Sequence, residues 1–360
     1  MSETNETLTI AALTGDLVIF RELQPYDPDL PDFATLRADV GLPNGQVPRK
    51  RDAEYARVVL RLLQTVQLRR KLPPLRLLLV IGDTENDRMM GDHLRRTSGL
   101  PTFIFLGKDD LSAEPALTTT RHISTATRWS LIEAWLEQVQ QQPPLADTPD
   151  LWPQVAVLLD IDKTLLGPRG RGDDEINTAR TEAALRVAQD LLGDRVDIAQ
   201  FEATYTELCK PSYHTLTLDN QDYTVYITLL ISAGIFSLDD LRHSMSEGTM
   251  TRFSQVLAAA RTRLPDTLHE LHAAIVAAHE AGDPTPFKAF RHAEFAATVA
   301  RMQDGRLRLC REVVNLTRSL AQHGVLCMAA SDKPDEASLP SPAQAAAGLL
   351  PLHHTPARID

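Results

Sequence analysis

Three side chains that could do chemistry follow the apolar run 155–159 at short spacing: Asp160, Asp162 and Thr164. In an extended chain, residues two apart point to the same side, so the carboxylates of Asp160 and Asp162 can share a cation. Carboxylates in such a position serve as metal ligands, nucleophiles or proton carriers. The D-x-D-x-T pattern is short enough to arise by chance, so its surroundings must decide its meaning.

Two further apolar runs end in polar residues of the same kind. Residues 75–81 lead into Asp83 and Asp87, and residues 325–330 lead into Ser331. Alternation of such strands with helices predicts an α/β fold with a parallel sheet. Because the carboxyl ends of parallel strands lie at one rim, we expect these polar residues to converge with the aspartates of the first run.

The rest of the sequence is predominantly helical. Short strands are expected within 8–20, and helices over 52–70, 128–139 and 307–323. A helical insertion is predicted from about 174 to 301.

Three motifs resemble those of the haloacid dehalogenase-like (HAD) hydrolase superfamily. D-I-D-K-T at 160–164 resembles the first motif of that family, A-A-S at 329–331 its second, and G-D-T-E-N-D at 82–87 its fourth. The resemblance implies a Rossmann-like parallel sheet with an inserted α-helical cap. It also implies Mg²⁺-dependent hydrolysis of a small soluble phosphomonoester through an aspartyl-phosphate.

The order of the motifs departs from that of the family. The fourth motif lies C-terminal to the first two in the family, whereas Asp83 precedes Asp160 here. Either residues 1–140 are a separate degenerate domain, or the chain is circularly permuted; we favour permutation, because each part alone would form an incomplete sheet. The predicted division is the C-terminal half of the core at 1–140, a linker at 141–154, the N-terminal half of the core at 155–167 and 302–360, and the helical cap at 168–301.

The resemblance implies a role for each residue of the first and fourth motifs. Asp160 would attack phosphorus, while Asp162 would protonate the leaving alkoxide and then deprotonate water. Mg²⁺ would be held by Asp160, the backbone carbonyl of Asp162, Asp83 and Asp87, the last directly or through water. Thr164 would contact substrate or orient the aspartate loop by hydrogen bonds.

Two further groups would contact phosphoryl oxygens. Ser331 would donate a hydrogen bond to one oxygen, and a lysine would neutralise another. We select Lys50, which precedes the helix predicted at 52–70, although Arg51 or Lys333 could replace it. Ser331 could instead cap the next helix, and Lys50 could be a solvated residue.

The segment after the first motif differs from the family in one position. Lys163 stands where many relatives carry glycine, which leaves the geometry of substrate access open. A glycine-rich basic loop follows at 167–172 and is predicted to be mobile. His353 and His354 lack a third ligand at a sensible spacing, so we expect a surface pair rather than a metal site.

Composition narrows the function further. A net charge of −11 argues against a nucleic-acid partner, and no apolar run approaches the roughly 20 residues of a membrane span. Three widely spaced cysteines give neither a disulfide framework nor a zinc pattern, and the N-terminus lacks the layout of a signal peptide. We therefore expect a cytoplasmic protein whose oligomeric state the sequence does not predict.

Two alternatives to the phosphatase interpretation stay open. A catalytically silent HAD-like protein would have the same fold and bind a partner through its cap. A phosphotransferase or mutase would pass the phosphoryl group from the same aspartyl-phosphate to a second hydroxyl.

Overall fold

The computed structural model describes residues 6–43, 45 and 47–360. Residues 1–5 lie outside the described residues; they belong to the N-terminal segment that lacks the layout of a signal peptide. The β-strands of the described chain are β1 (Thr7–Leu8), β2 (Val18–Ile19), β3 (Leu77–Gly82), β4 (Thr102–Gly107), β5 (Leu117–Thr120), β6 (Ile123–Ala126), β7 (Val155–Asp160), β8 (Leu326–Ala330) and β9 (Ala357–Arg358).

The α-helices of the described chain are α1 (Ile10–Thr14), α2 (Phe33–Asp39), α3 (Ala53–Arg69), α4 (Glu85–Ser98), α5 (Ile132–Gln140), α6 (Asp173–Leu192), α7 (Ile198–Leu208), α8 (His214–Thr217), α9 (Gln221–Ser232), α10 (Leu238–Ser246), α11 (Phe253–Ala260), α12 (Asp266–Glu280), α13 (Lys288–Gln303), α14 (Arg311–Gln322) and α15 (Pro342–Ala346). None of the described helices is both long and apolar enough to cross a membrane.

A seven-stranded sheet in the order β2-β8-β7-β3-β4-β6-β5 is the centre of the fold. All neighbouring strands in it are parallel except the β5–β6 pair. The expected α/β class with a parallel sheet is thus confirmed. A second, two-stranded sheet pairs β1 with β9 in antiparallel orientation.

The central strands are buried on both faces. Every residue of β3, β7 and β8 is buried, and each strand is a continuous apolar run up to its last residue. Helices α3 and α4 cover one face, through Val59 and Leu63 of α3 and Met90 and Leu94 of α4. Burial on both faces explains why these three strands could be recognised without any alternation of polar residues.

The chain divides into two compact units. The first comprises 1–176, 299–338 and 350–360 and contains the seven-stranded sheet; the second comprises 177–298 and 339–349 and is helical. The helical unit has its own core, in which the rings of Tyr223 and Phe253 stack at 3.8 Å.

Some local predictions were wrong for identifiable reasons. Helix α14 begins at Arg311 rather than at 307, because Leu309 is drawn into isolated bridges with Leu166 and Ile359. The β5–β6 hairpin was not predicted, since β5 is mostly exposed and rich in threonine.

The segment 141–154 was predicted to be a linker from its polar and proline-rich composition. Leu145 and Leu151 within it are buried, and Pro149–Gln154 forms 3-10 turns that lead directly into β7. Composition does not show that two leucines anchor this segment against the core.

Candidate active site

The strand register brings three chain segments to one level of the rim. Ile81 of β3 is paired with Leu159 of β7, and Asp160 is paired with Ala330 of β8. Asp83 and Ser331 therefore leave the sheet beside Asp160, as the parallel topology predicts.

Three carboxylates converge at this rim. One carboxylate oxygen from each of Asp83, Asp87 and Asp160 lies within 4.8 Å of the other two. Their side chains are buried. Three buried negative groups at such distances repel one another unless cations accompany them.

Lys50 supplies one of those cations. Its Nζ donates to Oδ1 of Asp87 at 2.9 Å and also to Oδ1 of Asp160. The backbone N–H of Lys50 donates to Oδ1 of Asp332 at 3.3 Å, which fixes the start of the chain leading into α3. Arg51 is exposed, so of these two neighbouring cations it is Lys50 that reaches the carboxylates.

Asp87 is held by the N-terminus of α4 as well as by Lys50. Its Oδ2 accepts hydrogen bonds from the hydroxyl and backbone N–H of Thr84, at 2.8 and 3.1 Å, in a capping box. Gly82 permits this approach, because a Cβ at that position would lie 2.3 Å from Cγ of Asp87. Since both of its oxygens are engaged, Asp87 is placed to position Lys50.

Asp83 is bound on both oxygens by residues from the segment after β7. Thr164, fully buried, donates from Oγ1 to Oδ1 of Asp83 at 3.3 Å, and Nε of Arg169 donates to Oδ2. The backbone of Arg169 is fixed in turn, because its N–H donates to Lys163 and its carbonyl accepts from Asp109. The basic loop predicted to be mobile is therefore anchored at Arg169.

Arg169 is a site residue that sequence reasoning missed. The available signal was an arginine in a glycine-rich loop a few residues after the first motif. That pattern alone is typical of a solvated turn, so only the contact with Asp83 reveals its position.

Asp162 has a different cationic neighbour. Nζ of Lys333 lies 3.3 Å from Oδ2 of Asp162. The hydroxyl of Ser331 accepts the backbone N–H of Lys333 at 3.0 Å and so closes a turn after β8 rather than capping a helix. Lys333 is thus the cation paired with Asp162, while Lys50 is the cation paired with Asp160.

Burial and charge set the protonation of the cluster. Burial raises the pKa of Asp160 well above its usual value, although the Lys50 ammonium opposes this shift. Burial raises the pKa of Asp83 against the effect of Arg169. Burial also acts to raise the pKa of Asp87, but Lys50 and the hydrogen bonds from Thr84 outweigh it and lower the pKa.

Lys50 stays charged in this environment. Burial acts to lower the pKa of its ammonium, but the carboxylates of Asp160 and Asp87 hold that pKa well above its usual value. A further positive charge at the cluster would therefore favour the ionised form of Asp160.

The donor set fits a hard divalent cation. Three carboxylates provide oxygen ligands, which Mg²⁺ and Ca²⁺ prefer, and when all three are ionised they carry one more negative charge than Lys50 and Arg169 neutralise. Asp83, Asp87 and Asp160 could therefore hold a metal ion, although the donors alone do not identify it as Mg²⁺.

No family model, curated protein or solved structure matches this chain.

Proposed function

We propose that this chain is a Mg²⁺-dependent phosphomonoester hydrolase of the HAD type that acts on a small phosphorylated metabolite. The observation that carries the proposal is the convergence of Asp83, Asp87 and Asp160 within 4.8 Å, with Lys50 bonded to two of them. Phosphoryl transfer needs a nucleophile, a proton carrier and positive charge in one place. Residues for each need are present at this rim.

The strand order supports the permuted arrangement. β7 and β8 lie between β2 and β3, so strands on either side of the segment 141–154 alternate within one sheet. Residues 1–140 alone would leave β2 without its only partner in that sheet, β8. If residues 1–140 were a separate degenerate domain, they would need a sheet of their own. The second, helical unit is proposed as the cap.

Asp160 is proposed as the nucleophile. Lys50 bonds to its Oδ1, so Oδ2 is the oxygen available to attack phosphorus. A bond forms between that oxygen and phosphorus as the bond from phosphorus to the alkoxide breaks, and the carboxyl of Asp162 gives its proton to the alkoxide. The product is an aspartyl-phosphate and a free alcohol.

Hydrolysis restores the carboxylate. Asp162, now ionised, takes a proton from water as the water oxygen attacks phosphorus, and the bond to Asp160 breaks. Ser331 and Lys50 are proposed to hold the phosphoryl oxygens, while Thr164 keeps Asp83 in place. Asp87 acts through Lys50, whose position it fixes.

Asp83, Asp160 and the backbone carbonyl of Asp162 are the proposed Mg²⁺ ligands, with Asp87 joining directly or through water. When bound, the ion would supply positive charge against the phosphoryl oxygens.

The test is turnover by the purified chain with a panel of aryl and metabolite phosphates. We expect turnover that a chelator abolishes and Mg²⁺ restores, and that Asp160→Asn eliminates. Asp147→Asn, the same change at an exposed aspartate, should retain the wild-type rate. Absence of turnover on every phosphate, or an active Asp160→Asn, would refute the proposal.

One observation favours the catalytically silent alternative. Lys50 and Arg169 already contact all three carboxylates, so these cations could stabilise the fold in place of a metal. That alternative predicts that calorimetry detects no Mg²⁺ binding and that no phosphate is turned over. The phosphatase proposal requires Mg²⁺ binding and turnover. Transfer of phosphate to an added alcohol, measured in the same assay, would identify a phosphotransferase.

A further inference from the structure

A second group of possible metal ligands lies away from the carboxylate cluster. Asp16 follows α1, and His353 and His354 belong to the 3-10 turn Leu352–His354. One ligand atom from each lies within 4.8 Å of the other two. The histidine pair has no third ligand at a sensible spacing in the sequence, but folding brings Asp16 to it across 338 positions.

Asp16 and His354 are already bonded to each other. Nε2 of His354 lies 2.6 Å from Oδ1 of Asp16. The two side chains are 47% and 43% exposed, so an ion in solvent can reach them and they can move to accommodate it. Carboxylate oxygens and imidazole nitrogens both serve as ligands of Zn²⁺.

His353 provides an independent observation. The expectation of a surface residue was wrong, since His353 is fully buried. Within the described chain, neither of its ring nitrogens has a hydrogen-bond partner. Its ring packs 4.5 Å from Tyr26 and 4.3 Å from His354, between centroids. Leaving a buried polar group unsatisfied destabilises the folded chain, and a coordinate bond from one ring nitrogen would remove part of that penalty.

The donor types select the ion. Two imidazole nitrogens and one carboxylate oxygen suit Zn²⁺ and related transition metals, whereas Mg²⁺ prefers oxygen ligands alone. Three protein ligands would leave one coordination position for water. The ion would join the turn after α1 to the segment before β9.

We propose that Asp16, His353 and His354 form a binding site for a Zn²⁺-class ion. The site does not depend on the proposed phosphatase activity. Its ligands come from segments that flank the β1–β9 pair, so the ion would hold these two parts of the first unit together.

Zinc binding to the untagged, chelator-treated full chain tests this proposal. Calorimetry and competition with a chromophoric chelator should show a Zn²⁺ site that His354→Ala and Asp16→Asn each weaken at least tenfold. His243→Ala, at an exposed histidine, should leave the affinity unchanged. Both test variants alter partly exposed side chains, so they avoid the folding defect expected from replacing buried His353.

Asp160→Asn separates this site from the carboxylate cluster. We expect Zn²⁺ binding and the zinc-dependent rise in Tm to persist in Asp160→Asn and to be lost in His354→Ala. Co²⁺ in place of Zn²⁺ should give visible absorption bands that follow the same pattern. Failure of the wild-type chain to bind zinc, or wild-type affinity in both His354→Ala and Asp16→Asn, would overturn the proposal.

Discussion

Replacement of Lys50 by methionine tests the charge balance of the candidate site. The Lys50 side chain is 3% exposed and those of Asp87 and Asp160 are 2% and 9% exposed, so solvent cannot replace the lost ammonium. Breaking a buried ion pair by removing one partner costs about 3–5 kcal/mol. Because two carboxylates share this ammonium, we expect Lys50→Met to lower the free energy of unfolding by an amount in that range.

Urea unfolding at neutral pH, with chelator and with added Mg²⁺, measures the effect. In Lys50→Met the cluster keeps three carboxylates and, of the two cations described at it, the Arg169 guanidinium. Mg²⁺ should therefore recover more stability in this variant than in the wild-type chain. Phosphatase turnover should fall even where Mg²⁺ restores stability, since the cation proposed to bind phosphate is gone.

Two controls make the result specific. Lys108→Met removes a lysine that is 52% exposed and pairs with Asp110 at the surface, so it should change stability little. Lys50→Met combined with Asp160→Asn should be less destabilising than the sum of the single changes, because each removes a partner of the other. Additive effects, or a loss below about 1 kcal/mol for Lys50→Met, would refute the reasoning.

Three further predictions concern backbone strain, close packing and pH. Lys71→Gly, at an exposed residue, should raise the free energy of unfolding by up to about 1 kcal/mol, because a φ of +56° costs a non-glycine residue roughly 1–2 kcal/mol. The greater freedom of glycine in the unfolded chain cancels roughly 0.5–1 kcal/mol of this gain, and a lower urea midpoint would contradict the prediction. In Gly82→Ala the added Cβ would clash with Asp87, so the variant should bind Mg²⁺ more weakly in calorimetry and be destabilised by about 1–3 kcal/mol. Unchanged Mg²⁺ binding would contradict the close approach of Gly82 and Asp87. Burial, then the hydrogen bond and charge of Glu22, raise the pKa of Asp335 to about 9. The folded chain thus binds more protons than the unfolded chain, and this contribution to stability is lost as pH rises from about 4 to about 9. In urea unfolding, the free energy of unfolding of Asp335→Asn minus that of wild type should be larger at pH 8.5 than at pH 5. The same difference at both pH values would contradict the raised pKa of Asp335.

The sheet and the rim could be predicted from sequence because β3, β7 and β8 are uninterrupted apolar runs that end in polar residues. Parallel topology then places Asp83, Asp160 and Ser331 at one level without further information. The same reasoning selected Lys50 but left Arg51 open, because neighbouring residues in a loop can point in opposite directions. In the structure the backbone N–H of Lys50 donates to Asp332, and the Lys50 ammonium rather than the exposed Arg51 reaches the carboxylates.

Contacts between distant loops were beyond the sequence patterns. Backbone hydrogen bonds with Lys163 and Asp109 hold the loop of Arg169, and from that loop Arg169 reaches Asp83. Asp16 meets His354 across nearly the whole chain, and no local periodicity encodes such a meeting. Periodicity reports burial along one element, whereas these contacts depend on the paths of several loops.

The position of β7 and β8 between β2 and β3 has a consequence for the order of folding. During synthesis, β3 emerges long before the strand that covers its open edge, and β2 must wait for β8, hundreds of residues later. The early part of the chain therefore presents an apolar, unpaired strand edge to the cell, a surface that invites association and chaperone binding. Completion of the sheet depends on contacts between residues far apart in sequence. We therefore expect this chain to fold more slowly than other proteins with a similar helix content.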